Sequence, residues 1–161
     1  MFREIRRKRQ SLSGKEISEI LNNGTSGVLA LSGDNDYPYA VPLSYVYDGS
    51  NIYFHAAKTG HKIDAVKRNK KASFCIIGQD NVAPEKYTTK YKSVIAFGKI
   101  RILEDESEKR NAIEKLAVKY SPDDKTGREA EIKKHWENLC MLELQIEHIS
   151  GKESIELTRI K

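Results

Sequence analysis

The sequence predicts a mainly β domain of the α+β class: an antiparallel sheet curled into a small closed or half-open barrel, with a few helices outside. Three observations predict it. At least six runs read as strands, and YPYAVPLSYVY (37–47) is rich in aromatic and β-branched residues. The early runs are joined by short turns made of Gly, Asp, Asn and Ser, which suits adjacent antiparallel neighbours. Helical spacing is confined to a few segments, and closing the sheet on itself is one way to remove its edges.

Element by element, Ser13-Gly14-Lys15-Glu16 reads as a capping box opening a short helix. Ile17, Ile20 and Leu21 form its apolar face, and Gly24 suits its C-terminal cap. GVLALS (27–32) is a buried strand, and Gly33 to Asp36 is a turn. YPYAVPLSYVY (37–47) reads as one long strand, Asp48-Gly49-Ser50-Asn51 turns again, and the chain returns through 52–57. A helix follows Thr59 and runs to about residue 69. ASFCIIG (72–78) is an interior strand, residues 79–90 a polar loop, and YKSVIAFGKIRIL (91–103) a long strand bent or bulged at Gly98. Residues 105–120 are helical, with Ile113, Leu116, Ala117 and Tyr120 on one face, and Pro122 ends them. A second short helix covers 127–138, and a last strand alternates through Leu142, Leu144, Ile146 and His148.

The 161 residues form one domain, 13–161, behind a basic arm, 1–12. Charged residues at 32% and hydrophobic ones at 39% fit a soluble globular chain. No apolar run is long enough for a bilayer, and MFREIRRKRQ lacks the apolar core of a secretory signal, so a cytoplasmic location is expected. Cys75 and Cys140 have no metal-site spacing and read as two buried thiols in a reducing compartment. Arg3, Arg6, Arg7, Lys8 and Arg9 against Glu4 carry +4 of the net +5. The rest of the chain is near neutral, so the arm is a tail, a subunit contact or a weak polyanion contact. With no recognition module beside it, a nucleic-acid function is disfavoured.

Two stretches carry candidate chemistry. Pro38 and Pro42 belong at an edge, an end or a bulge, because proline gives the ladder no N–H. Residues 41–45 are therefore either a protected edge or a strand that offers free backbone groups to a flat, polar-edged ligand. In FHAAKTGHK (54–62), Thr59 can cap the next helix and leave the amides of Gly60, His61 and Lys62 pointing outward. Those donors, the helix dipole and the Lys62 charge describe an anion site, and Gly60 admits close approach. The alternative is a solvated helix start whose misplaced charges cost about 0.3–1 kcal/mol each. His55 reads as a packed core group or as a ligand contact, and Ala56 and Ala57 leave room for a planar ring. A flat heterocycle near Pro42 with its phosphate at His61 and Lys62 has the shape of flavin mononucleotide, FMN.

PYAVPLSYVYDG, IYFHAAKTGHK, VIAFGKIRIL and HISGKES, in this order, resemble the FMN-binding split-barrel family of the pyridoxamine 5′-phosphate oxidases. The pattern is most similar to the branch related to nitroimidazole-resistance proteins, over about 13–155. The resemblance implies a homodimer of split barrels with FMN at the subunit interface. It places Val41, Pro42, Leu43, Ser44 and Tyr45 along the isoalloxazine, and His55, Ala56 and Ala57 beside the ring and ribityl chain. His61 and Lys62 would hold the phosphate, with Ser93 and Lys152 reaching the flavin from the partner subunit. It also implies an oxidoreductase that reduces a small acceptor such as a nitroheterocycle, with His55 as proton or hydrogen-bond donor; the alternative is a non-catalytic flavin-binding or redox-sensing protein. The end, ESIELTRIK, lacks the basic and aromatic stretch that oxidases of pyridoxamine phosphate carry. Residues 79–90 and 122–138 are candidate walls of a substrate pocket.

Overall fold

The computed structural model describes residues 1–159. The strands are β1 (Ser26–Ser32), β2 (Pro38–Ser44), β3 (Val46–Tyr47), β4 (Asn51–Ala57), β5 (Lys71–Ala83), β6 (Thr88–Ile102) and β7 (Leu139–Glu153). The helices are α1 (Gly14–Asn23), α2 (His61–Arg68), α3 (Glu106–Tyr120), α4 (Lys125–His135) and a single turn, α5 (Ile155–Thr158). The strands form one antiparallel sheet in the order β2-β1-β5-β6-β7-β4-β3. β2 and β3 are thus at opposite ends of the order, yet only Tyr45 separates them in the chain. Successive Cα atoms are about 3.8 Å apart, so the two ends of the sheet must curl round to meet at Tyr45. The result is a half-open barrel split along that seam, with helices outside.

Leu29, Phe54, Phe74, Ile76, Val94, Ala96, Leu142 and Leu144 fill the interior, with Ile17 and Leu21 from α1 and Ile63, Ala65 and Val66 from α2 packed against them. Phe74 is the aromatic hub, edge-on to Phe54 (centroids 4.9 Å apart) and to Tyr45 (5.1 Å). A second cluster, including Val46, Tyr53, Met141, Ala112 and Leu116, lies where α3 covers the outside of β3, β4 and β7. Those strands are buried on both faces, which is why β4 and β7 carry continuous apolar runs there instead of alternating.

The capping box is present: Ser13 Oγ accepts from the Glu16 amide, and Glu16 accepts from the Ser13 amide. Gly98 sits at the predicted bulge, where the register to β7 shifts. A Cβ there would come within 1.9 Å of the Gln145 carbonyl oxygen, so only glycine lets the strands approach.

Four expectations are corrected. The run 37–47 is two strands, because the backbone of Tyr45 between them bonds α3 instead of a neighbouring strand; Tyr45 is fully buried and donates its phenol to the Leu21 carbonyl at 2.6 Å. Residues 79–90 are no loop: β5 and β6 run on as a two-stranded ribbon to a turn at Pro84–Lys86. The ribbon reads as polar because it projects from the barrel with most of its side chains in solvent. Only Cys140 is buried; Cys75 faces outward on β5 and is half-buried. The basic arm is no free tail: the Gln10 amide side chain donates to the Glu153 carbonyl, the Leu12 amide donates to that of Gly151, and the Phe2 ring stacks on His148. Ile160 and Lys161, the end of the ESIELTRIK stretch, lie outside the described residues. Among the described residues no helix is long and apolar enough to cross a membrane.

The turn between β3 and β4 stores an electrostatic contribution. Burial works against the Asp48 carboxylate, but hydrogen bonds from the Asn51 amide, Lys115, the Ser50 amide and the Tyr53 phenol outweigh it and hold its pKa at about 2. An unfolded aspartate titrates near about 3.9, so this stability is present above that pH and is lost as the pH falls toward 2. Asp48→Asn is expected to cost about 1 kcal/mol at neutral pH once solvent screening is allowed for. The difference from the parent should shrink as the pH falls through that window, as read from denaturant midpoints across it.

Candidate functional site

β2 ends at Ser44 and β4 ends at Ala57, and the α3–α4 pair lies over both ends. The space between them is a cleft of about 920 Å³. Its β wall is Ser44, His55, Ala56 and Ala57; Ile113, Leu116, Ala117, Ile132 and Leu139 make it apolar; Asp124, Arg128, Glu131 and His135 rim it. Glu131 and His135 pair with each other at 2.9 Å. Arg128 donates to the Ser121 and Pro122 carbonyls at 2.7 and 2.8 Å, and Asp124 accepts from the Gly127 amide at 2.9 Å to start α4.

His55 alternates outward on β4 between the buried Phe54 and Ala56, so its imidazole is exposed in the cleft and has no hydrogen-bond partner among the described residues. The packed-core reading of His55 is thereby corrected. Surrounding protein, then the nearby Lys62 ammonium, push its pKa below the ordinary imidazole value. The ring is therefore neutral at pH 7 and takes its proton only at lower pH than an unfolded histidine, so protonating it opposes folding. Lys62→Met should move its titration back toward the ordinary value, by proton-nitrogen NMR of the ring; an unmoved titration would remove Lys62 as its neighbour charge.

β4 leads through Lys58 and Thr59 into α2. The expected Thr59 cap is not formed: Gly60 is the N-cap, no side chain caps the helix, and the Gly60 carbonyl accepts from the Asp64 amide. Gly60 has φ +126°, a conformation closed to ordinary side chains, and the space where a Cβ would stand is open for 4 Å. The first amides of α2 have no intrahelical partner. The first turn also contains Asp64, exposed, so its charge is less one-sided than His61 and Lys62 suggest. His61 turns away from the cleft, stacks on Tyr39 with centroids 3.9 Å apart and lies 3.7 Å from Asp34. Arg68, at the far end of α2, also bonds Asp34 at 2.8 Å, so the β1–β2 turn is tied to both ends of the helix.

The other predicted residues fall in two places. β2 is an edge strand, as Pro38 and Pro42 require. The Gly33 amide donates to the Tyr37 carbonyl, and ladder alternation then turns the backbone groups of Ala40, Pro42 and Ser44 to the open edge. Val41 and Leu43 pack on the core instead. The backbone of Tyr45 is not free for a ligand, because Tyr120 and Lys119 already bond it. Ser93 and Lys152 are register partners on β6 and β7 and do not line the cleft of their own chain. Of the two suggested pocket walls, 122–138 lines the cleft and the ribbon does not. Leu116, Ala117 and Tyr120 in the cleft went unrecognised as site residues. All three lie on the apolar face that helical spacing gives α3.

A split antiparallel barrel with a cleft walled by the ends of β2 and β4 defines a protein of the split-barrel class. Residues 13–153 match the family model described as pyridoxamine 5′-phosphate oxidase, and the chain belongs to that family. No curated protein sequence matches it. Three similar solved structures carry the same fold. One is a candidate 5-nitroimidazole antibiotic resistance protein from Bacteroides thetaiotaomicron, 20% identical, covering 89% of this chain and 86% of its own, TM-score 0.76. Another is the FAD and heme binding protein from Mycobacterium smegmatis, 22% identical, with 91% and 74% covered, TM-score 0.75. The third is an FAD-binding protein from Mesorhizobium loti, 25% identical, with 89% and 95% covered, TM-score 0.59.

Proposed function

We propose that this protein binds FMN and is an oxidoreductase that passes electrons to a small flat acceptor such as a nitroheterocycle. The observation that carries this reading is an apolar cleft lined by Ser44, His55 and Ala57, with the Lys62 ammonium of the uncapped α2 start close enough to His55 to act on its charge. The fit is good at both ends. The alanines and the α3 side chains suit a flat ring, and the open space at Gly60, the first amides of α2 and the Lys62 ammonium suit one terminal phosphate. His61 serves by fixing the β1–β2 turn on the helix. The FAD-binding names of two structural relatives support a flavin as the cofactor class; the choice of FMN rests on the single phosphate that the start of α2 suits.

When bound, the flavin supplies the hydride or electrons. The protein's part is to hold the ring edge with the outward backbone groups of β2, to exclude water with the apolar faces of α3 and α4, and to present His55, neutral at pH 7, as a hydrogen-bond partner at the ring. A homodimer completes this picture. On the outer face of β1, β5 and β6 the paired Val28, Cys75 and Ile95 form an apolar row, with Pro42 at its edge, and among the described residues Val28 and Ile95 stay exposed there. Burying that row in a second copy would bring the partner's β6–β7 pair, with Ser93 and Lys152, toward the flavin.

One observation favours a binding protein without turnover: no described residue orients His55 by a hydrogen bond, as a general acid usually requires. The test is a visible absorption spectrum of the purified protein, mass identification of any released chromophore, and then reoxidation of the reduced protein by a nitroaromatic. Released FMN with fast reoxidation is expected. FMN without reoxidation leaves the binding protein, and a colourless chain that ignores added FMN overturns both.

A further inference from the structure

The seam of the barrel is bridged by side chains. Where Tyr45 separates β2 from β3 no neighbouring strand remains to pair its backbone, and a buried unpaired amide or carbonyl costs about 1–3 kcal/mol. The last turn of α3 supplies the partners. The Tyr45 amide donates to the Tyr120 hydroxyl oxygen at 3.2 Å. The Tyr45 carbonyl accepts from Lys119 Nζ at 3.2 Å and lies 3.0 Å from the Tyr120 hydroxyl. That hydroxyl has one hydrogen, which it gives either to this carbonyl or to the carbonyl of Thr25 at the start of β1. Lys119 also donates to the Gly24 carbonyl and lies over the Tyr45 ring, 4.1 Å from its centroid. The two side chains thus join the end of α1, the start of β1 and the one residue linking the two ends of the sheet. Ser44, next in the chain to Tyr45, lines the cleft beside Tyr120 and Ala117.

We propose that Lys119 and Tyr120 are a latch across the split of the barrel: positioning residues that set the end of β2, and with it Ser44, against the ring of the bound ligand. The latch stands on its own hydrogen bonds; only its effect on a flavin ring rests on the function proposed above. Because α3 also walls the cleft, a displacement of that helix by a ligand is transmitted directly to the β2 edge that holds it.

Hydrogen exchange without ligand tests the latch itself, and the spectrum of added FMN tests its consequence. Tyr120→Phe should speed exchange of the Tyr45 amide by about tenfold or more, while the Leu29 and Leu31 amides in β1 keep the parent rates. It should also change the position or fluorescence of the FMN band. Lys119→Met should do the same to a smaller extent, and Lys119→Arg should restore the parent behaviour. Arg110→Met, which removes the Arg110–Glu129 ion pair between α3 and α4 without touching Tyr45, should do neither. Uniformly faster exchange in Tyr120→Phe, unchanged exchange at Tyr45, or an equal effect from Arg110→Met overturns the latch. Selective exchange at Tyr45 with an unaltered FMN band overturns its role at the ring. If no variant and no parent binds FMN, the cofactor reading fails while the exchange result still decides the latch.

Discussion

Phe74→Ala is expected to remove about 3–5 kcal/mol of stability, the usual cost of emptying a buried phenylalanine site. That is a large part of the roughly 5–15 kcal/mol available to a domain of this size. Phe74 is fully buried and its ring is edge-on to both Phe54 and Tyr45. Gly27 presses against it from β1, where an added Cβ would come within 2.4 Å of the ring. The ring thus locks the interior sides of β1, β4 and β5 together directly beneath the seam. Relaxation into the void is limited, because Gly27 and Phe54 belong to strands with a ladder on each side. The check is denaturant unfolding at equilibrium. A loss below about 1 kcal/mol would mean that the site collapses, and that the barrel interior is softer than its burial indicates.

Lys62→Ala is expected to weaken FMN binding by about 10- to 150-fold, the equivalent of one charge-assisted hydrogen bond of roughly 1.5–3 kcal/mol. Its effect on riboflavin, which has the same ring and no phosphate, should be small. The comparison isolates the proposed phosphate end, because Lys62 is half-buried at the uncapped start of α2, while Ser44, His55 and Ala57, the proposed ring contacts, line the cleft. Titration calorimetry on the two ligands decides it. Equal losses for FMN and riboflavin would put Lys62 at the ring and leave the helix start as a solvated terminus. A preserved affinity for both would remove Lys62 from the site.

Much of this molecule was legible one segment at a time. The capping box at Ser13, the bulge at Gly98 and the edge position of Pro38 and Pro42 each follow from a single residue's chemistry, so no distant contact was needed to predict them. The same holds for the place of His55, Ala56 and Ala57 at the end of a strand, ahead of a glycine and a helix. What failed in the reading were features set by a residue's far neighbours. Tyr45 looked like one more inward strand residue because its alternation with Tyr39, Val41 and Leu43 is regular; the break shows only in its distant partners, the Leu21 carbonyl at its phenol and α3 at its backbone. Residues 79–90 looked like a loop because polarity was taken as irregularity, although a ribbon wet on both faces satisfies its backbone internally and needs no apolar side. For His61 the local pattern gave no sign of Tyr39 and Asp34, which the β1–β2 turn brings up against it.

Apart from the break at Tyr45 and the ribbon at 79–90, the sequence by itself determined the strands and helices, the open edge and the family pattern, because periodicity, capping and proline chemistry act over a few residues. Tertiary structure alone decided that the sheet's two ends meet at Tyr45, that α3 covers β3, β4 and β7, and that its last turn bonds the seam. Those outcomes depend on which surfaces residues far apart in the chain bury against each other, and no local pattern encodes that choice.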